Sequence, residues 1–415
     1  MDMTVLIFLL VYVALALGHV PGFKVDRTGA TLVGAIAMIA VGSITDKAAW
    51  SAIDYQTIGL LFGLMVVSGA FVVSGFYAWT ADKVASLDVS PPVLLALLIV
   101  TGGTLSALLT NDVVMVAMTP LLVAITLSRG LNPTPFLLGF CFAANTGSAA
   151  TLIGSPQNMI AAQALGASFS DFLKVALVPA VLSLPIVWSV VTFLYRGKWH
   201  MAQTPGTPLV QTAPAIAAFD RVETLKAAIV TAVVIAAFVF STWPRELIAL
   251  SAAAVMLVNR RISSKQVMST VDGNLLILLA GLFVVNAALA QTGLPEKLVH
   301  DLKSAGLDFT NPSMLFLAVS ALSNVVGNNP AVMLLASFLP HSGNVDGLIA
   351  ALALGTGFSS NMIVFGSLAG IIVVEQAAAK GVTITLGEFC RAGIPVSIAC
   401  MALALAWITF LGISA

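Results

Sequence analysis

Charge is what this sequence has least of. Only 9 % of its 415 residues are Asp, Glu, Lys or Arg, whereas 59 % are apolar. A soluble chain carries about 25 % charged residues, so the soluble class is excluded. The 18 basic and 18 acidic residues balance to zero, which points to no nucleic acid or acidic partner. Cysteine is as scarce: Cys141, Cys390 and Cys400 are scattered, without metal or redox spacing. They read as small buried hydrophobes. His19, His200, His300 and His341 all fall in loops or at helix ends. No His relay, His-Glu-x-x-His pattern or nucleophile with a His base is evident. No Gly-Lys-Ser/Thr nucleotide loop occurs, so ATP coupling would require a separate ATPase subunit. An enzyme is not expected, and neither is a cofactor or a metal.

What the chain has in place of charge is long apolar runs. The first, Val5 to Leu17, lacks a basic leader and a small-residue cleavage site, and reads as a retained helix rather than a signal peptide. A spanning helix takes roughly 20 mainly apolar residues. On that rule spans fall near 4–20, 28–44, 54–77, 134–165, 172–195, 223–242, 244–259, 273–292, 345–378 and 390–412. Segments 134–165 and 345–378 are too long for one straight helix and carry Gly, Ser, Asn and Pro in the middle, so they read as broken helices. Segments 92–128 and 312–341 have a polar interruption between short arms, and read as re-entrant hairpins. The expected fold is an all-α polytopic membrane protein, multi-pass in the cell's inner (plasma) membrane.

The interruption in the first hairpin is Thr110-Asn111-Asp112. An ionised Asp at bilayer depth costs about 2.5–3.5 kcal/mol even on insertion scales, so it points to a cavity, a partner or an ion. The second hairpin has Gly327-Asn328-Asn329 at the matching place. The chain repeats itself more widely: Asp54 falls on Asp272, Gly63 on Gly281 and Gly75 on Gly293 at an offset of 218 residues. Ile153-Gly154-Ser155 likewise matches Phe365-Gly366-Ser367, and Val178-Pro179 matches Ile394-Pro395. We read a first repeat over 1–196, a cytoplasmic linker over 197–222 and a second repeat over 223–415. With both termini outside and each hairpin returning to its own side, 13 of the 18 basic residues lie in inner loops, as the positive-inside rule expects. The helices beginning at 54 and 273 then run in opposite directions, so the repeats are inverted, the arrangement that gives alternating access.

Four polar stretches converge by this logic. The first hairpin tip offers Thr110, Asn111 and Asp112, and the first broken helix Asn145, Thr146, Ser148, Thr151, Ser155 and Asn158. The second tip offers Asn328 and Asn329, and the second broken helix Ser359, Ser360, Asn361 and Ser367. A helix break leaves up to four N–H and four C=O groups without partners, and lipid satisfies none of them. Half-helix N-termini favour anions and oxyacids, whereas carbonyl ends favour cations. Any one of these Ser or Thr residues also suits interhelical packing; their recurrence in both halves argues for a site. Asp54 and Asp272 begin helices and read as N-caps. None of the 18 basic residues lies at either broken segment.

These residues carry a resemblance. Asn111-Asp112 with Thr119-Pro120, the run Ala144-Asn145-Thr146-Gly147 through Gly154-Ser155-Pro156-Gln157-Asn158, Asn328-Asn329-Pro330, Gly366-Ser367-Leu368-Ala369 and Gly393-Ile394-Pro395 resemble the ion transporter superfamily. Within it the chain looks like the arsenite-efflux (ArsB/NhaD) permeases, over about residues 5 to 412. The resemblance implies a scaffold part and a transport part built from two hairpins and two broken helices. The sodium-coupled dicarboxylate branch carries Ser-Asn-Thr at both tips, where this chain has Thr110-Asn111-Asp112 and Gly327-Asn328-Asn329.

The expected function is secondary active transport, read first as proton-coupled efflux of arsenite or antimonite, with Asp112 as the protonation site. The hydroxyl-and-amide lining suits such a small oxyacid, and the three thiols are not expected to form the site. The alternatives are a sodium- or proton-coupled permease for inorganic anions or carboxylates, a cation/proton antiporter, and a passive channel.

Overall fold

The computed structural model describes residues 2–20, 22–201, 218–339 and 344–414, and among them there are twenty α-helices and no β-sheet. The chain opens with α1 (Met3–Leu17), α2 (Arg27–Ala40), the short α3 (Asp46–Ala52), α4 (Tyr55–Val73) and α5 (Phe76–Ala85). A helical hairpin follows, α6 (Pro91–Leu108) and α7 (Asn111–Ser128), then the broken pair α8 (Pro133–Ser148) and α9 (Pro156–Ala164), then α10 (Phe169–Leu194). Beyond residues 202–217 the order recurs. It runs α11 (Arg221–Phe240), α12 (Arg245–Leu257), α13 (Ser264–Met268), α14 (Gly273–Ala290) and α15 (Leu294–Ser304). The hairpin α16 (Pro312–Val326) and α17 (Asn328–Ala336), the broken pair α18 (Val345–Ser359) and α19 (Leu368–Ala379), and α20 (Leu386–Ser414) complete it.

Local chemistry sets the equivalent boundaries in both halves. Asp54 accepts hydrogen bonds from the N–H groups of Gln56 and Thr57 at the start of α4, and Asp272 from that of Leu275 at the start of α14. Both are therefore N-caps. Before α5 and α15 stand Gly75 and Gly293, at φ 74° and 67°, a left-handed conformation that side chains with a Cβ disfavour.

The halves interlock through matching close approaches. A Cβ on Gly63 of α4 would lie 2.5 Å from the carbonyl carbon of Ala249 in α12, and one on Gly281 of α14 would lie 3.0 Å from that of Thr31 in α2. The broken helices form the centre: every residue of α8 is buried, as is Gly347–Ser359 of α18. The periphery is apolar and exposed, with Val222, Leu225, Ile229, Val233 and Phe240 on α11 facing outward. An exposed apolar belt of this kind suits lipid rather than water. Among the described residues seven helices are long and apolar enough to cross a membrane.

The hairpins differ from the expectation of short arms. In the first, α6 and α7 each have 18 residues and each is long and apolar enough to cross. Pro120 does not end α7, and the hydroxyl of Thr119 beside it bonds the carbonyl of Met115 one turn back (2.7 Å). In the second, the arms have 15 and 9 residues. Most of the expected linker, residues 202–217, and His341 lie outside the described residues.

Candidate binding cavity at the helix breaks

The first hairpin tip is tied to the first helix break. Between α6 and α7 the chain turns over Leu109 and Thr110, where the Thr110 N–H donates to Ser68 Oγ (3.1 Å) and the Asn111 N–H donates to Gly154 O (2.9 Å). Gly154 sits where a Cβ would be 2.2 Å from Ser148 O. The carbonyls freed by the break are taken up locally: Asn158 Nδ2 donates to Ser148 O (2.9 Å) and Thr151 O (2.8 Å). The Thr151 hydroxyl donates to Ala107 O at the end of α6 (2.5 Å).

The second tip repeats the device with side chains. The Ser323 hydroxyl donates to Asn328 Oδ1, and Asn328 Nδ2 donates to Ser360 Oγ (2.9 Å) in the second break. The two breaks are joined to each other by an amide pair. Asn145 Nδ2 donates to Asn361 Oδ1 (2.8 Å), Asn361 Nδ2 to Phe142 O (3.1 Å), and the Ser367 hydroxyl to Asn145 Oδ1 (3.2 Å). Buried amides joined in this way rigidify the surroundings of a site.

One cavity opens among these parts. It is lined by Asn111 and Asp112, by Pro156 and Gln157, by Asn328 and Asn329, and by Gly366 and Ser367. Those pairs stand at the N-terminal ends of α7, α9, α17 and α19, so four helix N-termini face one space. On α7, α9 and α17 no side chain caps the terminus, which leaves first-turn N–H groups for a ligand. Asp112 is half-buried, and the carboxylate of Asp272 is near enough for their charges to interact. Several buried oxygens around the tips and breaks have no partner, among them those of Thr110, Asn111, Ser155, Asn158 and Asn329. Buried polar atoms are nearly always paired in native structures; of these, the oxygens of Asn111 and Asn329 belong to residues that line the cavity, where a bound molecule can reach them.

Of the residues expected at the site, Asn111, Asp112, Asn328, Asn329 and Ser367 line the cavity. Asn145, Thr151, Asn158, Ser360 and Asn361 support the breaks through the bonds above. Thr146 donates to Phe142 O (3.0 Å), Ser148 to Asn145 O (2.9 Å) and Ser359 to Thr356 O (3.5 Å), all local bonds to backbone. Thr110 and Ser155 are buried beside the cavity as the N-caps of α7 and α9. The cysteines do not line it: Cys141 and Cys400 are buried within α8 and α20.

The residue that sequence reasoning missed is Arg27. It opens α2, far from both breaks in the chain, yet its side chain lines the cavity. Its Nε donates to Leu15 O (3.0 Å), and Nη2 reaches Phe365 O (3.5 Å) in the second break. Proximity in sequence to a broken segment was the wrong criterion, because α2 packs across the chain onto α14. A guanidinium cannot be deprotonated here, so the cavity holds a fixed positive charge.

A cavity at paired helix breaks inside a bundle of apolar spans defines a membrane transporter. The family model for citrate transporters matches residues 10–357, and the chain belongs to that family. It is 29 % identical to a 46 kDa membrane protein of Mycobacterium leprae over 94 % of this chain and 96 % of that one. An uncharacterised transporter of Mycobacterium tuberculosis is 30 % identical, with 96 % of each chain covered. A putative transporter arsB of Dictyostelium discoideum is 32 % identical over 40 % of this chain and 29 % of its own. The fold is similar to that of the YdaH transporter of Alcanivorax borkumensis (TM-score 0.59, 16 % identity), over 99 % of this chain and 97 % of that one.

Proposed function

We propose that the protein is a secondary carrier for a small oxyanion or carboxylate, coupled to a proton taken by Asp112. The observation that carries this reading is the charge of the cavity: four helix N-termini and Arg27 face the same space. Both favour negative charge, and in a site away from bulk water neither is strongly screened. Asp112 is the acidic residue in the lining, and a carboxyl that cycles between charged and neutral forms there changes the cavity's net charge by one. A second reading, proton-coupled efflux of arsenite or antimonite, is favoured by the hydroxyl-and-amide lining and by the partial likeness to the arsB-named relative. A neutral oxyacid has no need of Arg27, and this is why the anion reading comes first. Sodium in place of the proton is the variant to be tested beside it. Reconstitution into proteoliposomes, with citrate, phosphate and arsenite compared under imposed proton and sodium gradients, decides between these. Saturable, proton-driven uptake of an anion is the expected result; flux of arsenite alone overturns the first reading in favour of the second.

The carrier reading comes with a topology: inverted repeats in the inner membrane, hairpins re-entrant from opposite faces, both termini outside. Support comes from the 13 of 18 basic residues that this arrangement places in inner loops. If α6 and α7 both spanned instead, the chain would return to the same side, so two lysines outside the hairpins test the inverted arrangement independently of how deep the first hairpin runs. Lys83, exposed at the end of α5, is expected to react with an impermeant amine reagent from the cytoplasm. Lys303, on the exposed end of α15, is expected to react from outside, more slowly because it pairs with Asp308 (3.0 Å). Asp308 is held below the usual carboxylate range by hydrogen bonds from Thr310 and then by Lys303, so the pair persists at neutral pH. Labelling of both lysines from one face refutes the inverted arrangement.

A further inference from the structure

Arg27 has an equivalent. The offset of 218 residues that carries Asp54 onto Asp272 and Gly63 onto Gly281 also carries Arg27 onto Arg245. Each arginine is the first residue of a short apolar helix, α2 or α12. These are the two helices whose backbones, at Thr31 and Ala249, make the matching close contacts with Gly281 and Gly63. Each half-buried guanidinium crosses to the broken helix of the other half. Arg27 reaches Phe365 O in the second break. Arg245 donates to Ala167 O (2.8 Å) and to Gln163 Oε1 (3.4 Å), at the far end of α9.

The setting of the two arginines is therefore the same and their destinations differ. Arg27 stands at the break, in the cavity lining; Arg245 stands one helix away from its break, outside the lining. The position in the first half that matches Phe365 is Ile153. Two copies of one motif that share their packing but not the reach of one side chain show two states of that motif side by side.

We infer that the arginines exchange these places as the carrier turns over. In the facing described here Arg27 holds the cavity mouth. In the opposite facing Arg245 reaches the carbonyl of Ile153 and the mouth, while Arg27 withdraws toward the far end of α19. The inference rests on the inverted-repeat carrier reading, which puts Arg27 at the cytoplasmic face and Arg245 at the outer one. Arg27 is held by two backbone carbonyls, those of Leu15 and Phe365, and Arg245 by one carbonyl and the neutral amide of Gln163. Neither forms a salt bridge among the described residues, so the holds are exchangeable. A guanidinium keeps its charge and its fork geometry throughout. The consequence is a charge filter at each face: an anion meets an arginine on entry from either side.

Arg27→Gln and Arg245→Gln, each beside its Lys variant, test this in sidedness-controlled proteoliposomes with radiolabelled citrate. Arg27→Gln is expected to raise KM for citrate on the cytoplasmic face by about 10-fold or more, as loss of a charge-assisted hydrogen bond does. KM on the outer face stays unchanged, Arg245→Gln shows the converse, and each Lys variant is partly rescued. Equal effects on both faces, or an effect of only one arginine, overturn the inference. An independent measurement needs no transport: Arg27→Cys and Arg245→Cys are labelled with an impermeant maleimide against the wild-type background. Opposite faces follow from the inverted topology alone, so the exchange is read from the rates. Reversing the imposed proton gradient is expected to change the two labelling rates in opposite directions. Rates that move together or not at all, or labelling from one face, refute the exchange. If the wild type moves no citrate, the carboxylate reading has failed for that anion and the labelling alone decides the role of the arginines.

Discussion

Asp112→Asn is expected to reduce proton-driven flux to the level of empty vesicles while the protein remains folded and abundant. Asn has nearly the size of Asp and can stand in the same first turn of α7, but it cannot exchange a proton. Stability does not suffer, because an ionised Asp at bilayer depth costs about 2.5–3.5 kcal/mol and the substitution removes that charge. The variant should therefore melt at or above the wild-type temperature in detergent. Counterflow, the exchange of labelled for unlabelled anion without a gradient, separates coupling from binding: it should persist if Asn111, Gln157, Asn328 and Arg27 hold the cargo. Undiminished gradient-driven flux with an unchanged pH profile in Asp112→Asn removes Asp112 from the mechanism.

The second large effect is expected from Gly154→Ala. A methyl group there would meet only backbone: Ser148 O at 2.2 Å, Ser148 Cα at 2.7 Å and Ser106 O at 2.8 Å. None of these atoms can swing aside as the end of a long side chain would. Overpacking of a filled interior costs typically about 1–3 kcal/mol, so the melting temperature should fall. Transport should be lost even in the fraction that folds, because Gly154 O accepts the N–H of Asn111 and so positions the first residues of α7 at the cavity. Gly273→Ala is the control. It is the first residue of α14, has nothing within 4 Å of its Cβ position, and should be neutral. Wild-type transport in Gly154→Ala would show that the tie between hairpin tip and break does not hold the site.

Much of this architecture is legible in one dimension because lipid imposes simple rules. A chain with 9 % charge has few ways to satisfy its backbone except in apolar helices. Runs of that length interrupted by Gly, Ser, Asn and Pro announce where helices break. Asp54 and Asp272 cap helices for the same local reason they were expected to, and Asn111, Asp112, Asn328, Asn329 and Ser367 are polar residues in apolar surroundings that had to face something. The lengths of the hairpin arms were harder: short arms were expected about the polar break, but α7 runs unbroken from Asn111 through Pro120 to Ser128.

What the sequence by itself determined is the long apolar helices, the position of the breaks, the repeat of element order and the kind of residue placed at each break. These follow from local composition, capping and the cost of polar groups in lipid. The short helices α3, α5, α13 and α15 were not read from it. What only the tertiary structure decided is which broken ends share a cavity and with what charge. Asn145 and Asn361, 216 residues apart, form one amide pair, and of the expected residues Asn111, Asp112, Asn328, Asn329 and Ser367 come together to line one cavity. Arg27 enters the lining because α2 packs on α14, and the four N-termini add up to an anion-favouring field because they point at one place. Electrostatic character depends on distances between groups remote in the chain, and those distances exist only once the helices are packed.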